Sequence, residues 1–160
     1  MKTLLLMRHA SSGWDELSLA DRARPLDDKG EHELSRLTRR YAAKGIRPQR
    51  IVSSPALRAL STARALASAC GLSGDDVQID ERLYCGSARA MLDSLGELDD
   101  ALDCVAVVGH NPEITELAHH LARDIDFLPT CAIATMGFEV AHWSELRQHK
   151  AAAAMLDAPP

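Results

Sequence analysis

The chain lacks a C-x-x-C pair, a basic run, an internal repeat and a long apolar stretch, and each absence removes a class of function. Cys70, Cys85, Cys104 and Cys131 stand singly, and no Cys/His spacing resembles a zinc site, so neither a structural metal nor a dithiol redox motif is expected. Cys104 and Cys131 read as small buried hydrophobes. With a net charge of −5 and no cationic cluster in sequence, nucleic acid is not an expected partner, and any affinity for anions must be local. The apolar stretch Leu4–Met7, preceded only by Lys2, is far too short for a signal-peptide core or a membrane span, so a soluble cytoplasmic protein is expected. No linker interrupts the 160 residues, which suit one domain over 1–160.

What the chain does have is three distant segments that each read as a buried strand ending in a cation or an imidazole. They are Leu4-Leu5-Leu6-Met7-Arg8-His9, then Ile51-Val52-Ser53-Ser54-Pro55 with Arg58 beyond, then Val105-Ala106-Val107-Val108-Gly109-His110-Asn111-Pro112. Continuous apolar runs suit strands covered on both faces. Between them the spacing predicts helices. One starts after Asp27 and stops at Gly45, with Leu34, Leu37 and Tyr41 on its apolar face. A second has Ser54 as N-cap and Pro55 at its first position. A third begins at Gly86-Ser87, and a fourth opens at Asn111-Pro112 and runs to about Leu121. Short strands are expected at Arg50–Val52 and Val77–Ile79, and a last one over Ile133–Val140, antiparallel at the edge. The alanine-rich tail from Leu146 reads as a fraying helix. Alternating strand and helix gives a three-layer α/β/α sandwich with a mostly parallel sheet and one antiparallel edge strand.

In such a sheet ligands bind at the carboxyl ends of the strands. Arg8, His9, Arg58 and His110 should therefore converge on one cleft suited to a phosphate dianion. Arg8 and His9 are adjacent, and inside a regular strand they would face opposite sides. Both reach one pocket only if the strand has ended, as the turn-prone Ala10-Ser11-Ser12-Gly13 suggests. Arg58, in the first turn of its helix, adds a guanidinium fork to the positive end of the helix dipole. His32, His119, His120, His142 and His149 read as structural or exposed.

Together Arg8-His9-Ala10, the run from Ser53 through Arg58 to Ala63, and Gly109-His110-Asn111-Pro112 resemble the histidine phosphatase superfamily, with its phosphoglycerate-mutase-like fold. Ser12-x-Trp14 followed by Arg24-Pro25-Leu26 is similar to the SixA-type phosphohistidine phosphatases of that superfamily. The resemblance implies phosphoryl transfer through a covalent phosphohistidine on His9, with Arg8, Arg58 and His110 binding phosphate. It implies no metal and no cofactor, since cationic side chains take the metal's part. Two positions depart from the usual pattern: Ala10 stands where many relatives have glycine, and Asp27 where threonine is frequent. Aspartate caps a helix as well as threonine does.

For the proton donor, the resemblance points first to Glu81, in Glu81-Arg82-Leu83-Tyr84 after the third strand, and second to Asp21. Ser12 is a further candidate for a hydrogen bond to phosphate. Only residues 82–103, which include a helix, are available to cover the cleft on that side. So short a cover favours phosphate presented on a protein, such as a phosphorylated phosphotransfer domain, although it also admits a small phosphomonoester. The expected function is a metal-independent protein-phosphohistidine phosphatase. The alternatives are a phosphomonoesterase on the same residues and a catalytically silent phosphate-binding scaffold.

Overall fold

The computed structural model describes residues 1–13 and 18–160; Trp14, part of the SixA-like motif, lies outside them. Six strands form one sheet in the order β3-β2-β4-β1-β5-β6. They are β1 (Lys2–Arg8), β2 (Arg50–Ser53), β3 (Val77–Ile79), β4 (Cys104–Gly109), β5 (Ile133–Phe138) and β6 (Ala153–Asp157). The first four are mutually parallel, and β5 runs antiparallel to both neighbours. The helices are α1 (Asp28–Ala42), α2 (Leu57–Ala69), α3 (Ala88–Gly96) and α4 (Glu113–Leu121).

Strand periodicity explains the layers. Successive side chains of β1 alternate in direction, so Leu4 and Leu6 join one core with α3 and α4, while Leu5 and Met7 join another with α1 and α2. All four are fully buried. That two-sided burial is why the run is apolar throughout, and truncating any one of them to alanine should cost ~2–5 kcal/mol.

Local signals act largely as read. The Asp27 carboxylate accepts the Gly30 N–H at 2.7 Å and caps α1, and its other oxygen accepts the Ser11 hydroxyl at 2.9 Å. One residue thus starts the helix and ties down the loop after β1. Glycine is required at position 30, because a Cβ there would lie 2.1 Å from the Ser11 carbonyl oxygen.

Four expectations are corrected. Ser54-Pro55 does not open α2, which starts at Leu57 with Ala56 as its N-cap. The Ser54 hydroxyl instead accepts the Ala56 N–H and bonds His110, so the dipeptide forms the turn before the helix. β5 is antiparallel but ends at Phe138 and is not the edge. The tail supplies that edge as β6, after a short 3₁₀ turn at Trp143–Arg147. Alanine's helix propensity is a weak prior, and a short helix is marginal without packing. Pairing with the open side of β5 wins, reinforced by ion pairing of Lys44 with Asp157 at 2.7 Å and by Arg40 donating to the Ala158 carbonyl at 3.1 Å. At Asn111-Pro112, a cis peptide, Pro112 is the N-cap of α4, while the Asn111 side chain accepts the Thr115 N–H.

Candidate active site

The carboxyl ends of β1, β4 and β2 lie side by side, with Arg8 opposite Gly109 and Ser53 opposite Val108. The chain leaves the sheet after each of them, and there it places His9, His110 and, on the second residue of α2, Arg58. β1 ends at Arg8, as convergence of the two adjacent side chains requires. The His9 N–H donates to the Gly109 carbonyl at 3.1 Å, and its own carbonyl accepts from Cys131 at 3.1 Å. The next N–H, of Ala10, donates to the Thr62 hydroxyl of α2 at 3.0 Å. The backbone around the imidazole is thereby tied to β4, to the loop before β5 and to α2.

The His9 ring is oriented as an attacking imidazole needs to be. Its Nδ1 lies 2.7 Å from the Ala10 carbonyl. A carbonyl can only accept, so the proton is on Nδ1 and the lone pair is on Nε2. The His9 and His110 ring centroids are 5.0 Å apart. Burial, together with the positive charges of Arg58, Arg8 and Arg24, lowers the His9 pKa to about 4. Burial lowers His110 to about 3, with His9 and Arg58 adding to the effect. Both imidazoles are neutral at pH 7, and both sense the same two arginines, so the four predicted residues share one electrostatic site.

Each of the other three has a support. Arg8 donates to the Leu128 carbonyl at 3.3 Å and lies 5.9 Å from the Phe127 ring centroid. Arg58 is buried, and its two terminal nitrogens donate to the Asp21 carbonyl oxygen at 2.8 Å and to the Asp21 carboxylate at 3.0 Å. His110 Nε2 lies 2.7 Å from the fully buried Ser54 hydroxyl. Among the described residues, His110 Nδ1, Arg8 Nε and, away from these two, Arg50 Nε on β2 are buried without a hydrogen-bond partner. Unpaired buried polar atoms are rare and call for a role.

The remaining candidates sit otherwise than expected. The Asp21 carboxylate accepts from Arg58, from Arg24 at 3.0 Å and from the Tyr84 hydroxyl at 2.6 Å. The Tyr84 bond foremost, then those of Arg24 and Arg58, hold its pKa far below the usual carboxylate range. Asp21 thus contacts Arg58 directly and is positioned to brace its guanidinium. Glu81 is exposed, and Arg22 binds both of its carboxylate oxygens, at 3.1 and 3.2 Å. The Ser12 hydroxyl donates to the Pro25 carbonyl at 2.7 Å, so its one proton is committed to the loop. Among the described residues no group of three or more His, Cys, Asp or Glu side chains could hold a metal ion.

Sequence reasoning missed Ser54 as a partner of His110, Arg24 and Tyr84 as partners of Asp21, and Phe127 beside Arg8. Ser54 was in view as a helix cap. The others carry no local pattern: Tyr84 and Phe127 lie 63 and 119 positions from Asp21 and Arg8, and only Arg24 is near its partner, three positions from Asp21.

Comparisons with known proteins agree with this geometry. Residues 4–84 match the model of the histidine phosphatase superfamily, branch 1. An uncharacterized chloroplastic protein of Arabidopsis thaliana is 30% identical over 152 residues, covering 90% of this chain and 70% of that protein. A crystal structure assigned as the phosphohistidine phosphatase SixA of Agrobacterium tumefaciens superposes with a TM-score of 0.76 at 25% identity, covering 84% of this chain and 90% of the other. The protein histidine phosphatase SixA complexed with tungstate superposes at 0.78 and 21% identity, covering 98% and 94%. The chain belongs to branch 1 of the histidine phosphatase superfamily and is a phosphatase with the SixA-type, phosphoglycerate-mutase-like fold.

Proposed function

We propose that this phosphatase hydrolyses phosphohistidine carried on a protein, through a phosphoryl group held transiently on His9. The observation that carries the reading is the His9 Nδ1–Ala10 carbonyl bond, which leaves Nε2 free to attack beside Arg8, Arg58 and His110. Nε2 forms a bond to phosphorus as the bond to the leaving group breaks. The arginines hold the non-bridging oxygens, and a Ser54 hydroxyl that donates to His110 Nε2 leaves His110 with a proton on Nδ1 to offer a third. Water then attacks the phosphoryl-His9, the P–N bond breaks, and inorganic phosphate departs. Positioning and preorganised charge supply most of the rate, as in other phosphoryl transfers.

With the Asp21 carboxylate taken up by Arg58, Arg24 and Tyr84, Glu81 is the side chain proposed to protonate an alkoxide leaving group, once released from Arg22. A phosphohistidine makes less demand on it, because imidazole leaves well after taking a proton on nitrogen. The short segment 82–103 on one side of the cleft, and the SixA structures that the chain resembles, support a protein-borne substrate. Single domain organisation over 1–160 and a cytoplasmic location are part of the same proposal; no helix among the described residues is long and apolar enough to cross a membrane.

The test is a substrate panel: a phosphotransfer domain phosphorylated on histidine, glycerol phosphate and a sugar phosphate. A kcat/KM for the phosphorylated domain well above the others supports the proposal. A preference for the small esters makes the protein a phosphomonoesterase on the same residues. Phosphate binding without turnover of any of them makes it a scaffold.

A further inference from the structure

We propose that Phe127 is a specificity residue of this site, a wall against which the planar ring of the leaving group lies. The site would then favour phosphoryl groups carried on imidazole or phenol rings over those on alkyl oxygens. The inference rests on the phosphatase reading at His9 but not on the substrate being a protein.

Phe127 is 56% exposed, so its ring face is open to a ligand. It is not there for want of order. The flanking Ile125 and Leu128 are buried, and the Leu128 carbonyl accepts from both Arg8 and the Asn111 side chain, the latter at 3.0 Å. The Leu128 N–H donates to the Thr115 hydroxyl at 3.0 Å. The backbone is thus pinned to α4 and to Arg8 at the end of β1, and the Phe127 ring is held exposed beside Arg8. Its centroid lies 5.9 Å from Arg8 Cζ. A phosphate oxygen bound to Arg8 would lie about 2.9 Å from the nitrogen, which brings the group just beyond phosphorus within reach of that ring.

A second aromatic ring lies beside the site's other imidazole. Tyr84 meets His110 edge-on with centroids 5.6 Å apart, and Arg22 lies over its ring at 5.2 Å. Its hydroxyl is already given to Asp21, so it offers ring surface and no free donor. Offset or edge-on contacts between aromatic rings add to simple burial, and an alkyl leaving group gains nothing comparable.

The experiment compares Phe127→Ala and Phe127→Leu with the wild type on phenyl phosphate and glycerol 2-phosphate, each variant referred to the wild type on the same substrate. The kcat/KM loss on phenyl phosphate should exceed that on glycerol 2-phosphate at least fivefold for alanine, and less for leucine. A parallel titration with phenylphosphonate and methylphosphonate, which are not hydrolysed, reads the preference without turnover. The wild type should bind phenylphosphonate more tightly, and Phe127→Ala should erase the difference. Equal losses on both esters would make Phe127 only a support for Arg8 and overturn the proposal, as would wild-type indifference between the phosphonates. Should the phosphorylated protein fail as substrate while the phenyl preference persists, the substrate proposed above fails and this inference stands.

Discussion

Replacing Asp21 by asparagine separates a brace for Arg58 from a proton donor. Arg58 spends two terminal nitrogens on Asp21, one on its carbonyl and one on its carboxylate. Asparagine keeps the backbone-carbonyl bond and the side-chain shape but removes the carboxylate's charge, so the Arg58 guanidinium faces a neutral amide in place of an ion-pair partner. The Asp21 side chain is 42% exposed, so solvent screens the pair and the loss should be near ~1 kcal/mol. That corresponds to about a fivefold fall in kcat/KM. Arg58→Ala removes the guanidinium itself and should cost ~3–4 kcal/mol, or about 10²–10³-fold, by analogy with loss of one preorganised donor. If Asp21 acts through Arg58, adding Asp21→Asn to Arg58→Ala should change little further, because the residue it orients has gone. The assay is steady-state kinetics of the four proteins on phenyl phosphate across pH. A hundredfold loss in kcat for Asp21→Asn, undiminished in the Arg58→Ala background and accompanied by loss of a basic limb in the pH profile, would show that Asp21 donates a proton and would refute the brace.

The low pKa of His9 has a sign that can be checked. A neutral imidazole is the attacking form, so His9 stays competent as pH falls from 6.5 to about 4, and NMR titration of its ring should find the midpoint near the lower value; a midpoint near 6.5 would contradict the burial argument. Over the same interval the unfolded chain takes up a proton that the folded site excludes, so stability should fall as pH drops below 6.5, by on the order of 3 kcal/mol for His9 alone, as read by urea unfolding at pH 7 and pH 4.5. Ser54→Ala removes the hydroxyl 2.7 Å from His110 Nε2 and should lower kcat about tenfold, with Ser54→Thr recovering part of it; unchanged kcat in Ser54→Ala would show that His110 needs no partner there.

Local chemistry was legible where one residue governs one element. Asp27 caps α1, and the apolar runs of β1 and β4 mark strands buried on both faces. The convergence of Arg8, His9, Arg58 and His110, proposed above as the phosphate site, was legible for a related reason: each stands at the end of a parallel strand or in the turn and first helical residues after it, and parallel strands bring those ends together. What depends on contacts distant in sequence was not legible. Ser54 looks like a helix cap until His110 is placed beside it. Asp21 looks like a free acid until Arg58, Arg24 and Tyr84 surround it. The alanine tail misleads because its state is set by the open side of β5, which no property of the tail itself reveals.

The central claim is that His9 carries the phosphoryl group. Acid quenching would destroy a phosphohistidine, so the reaction with labelled substrate should be stopped in alkali within a turnover and the phosphorylated peptide mapped by mass spectrometry. The account predicts a base-stable, acid-labile phosphoryl group on His9, absent from His9→Ala. Label on His110, or steady turnover by His9→Ala at a rate near the wild type, would contradict it.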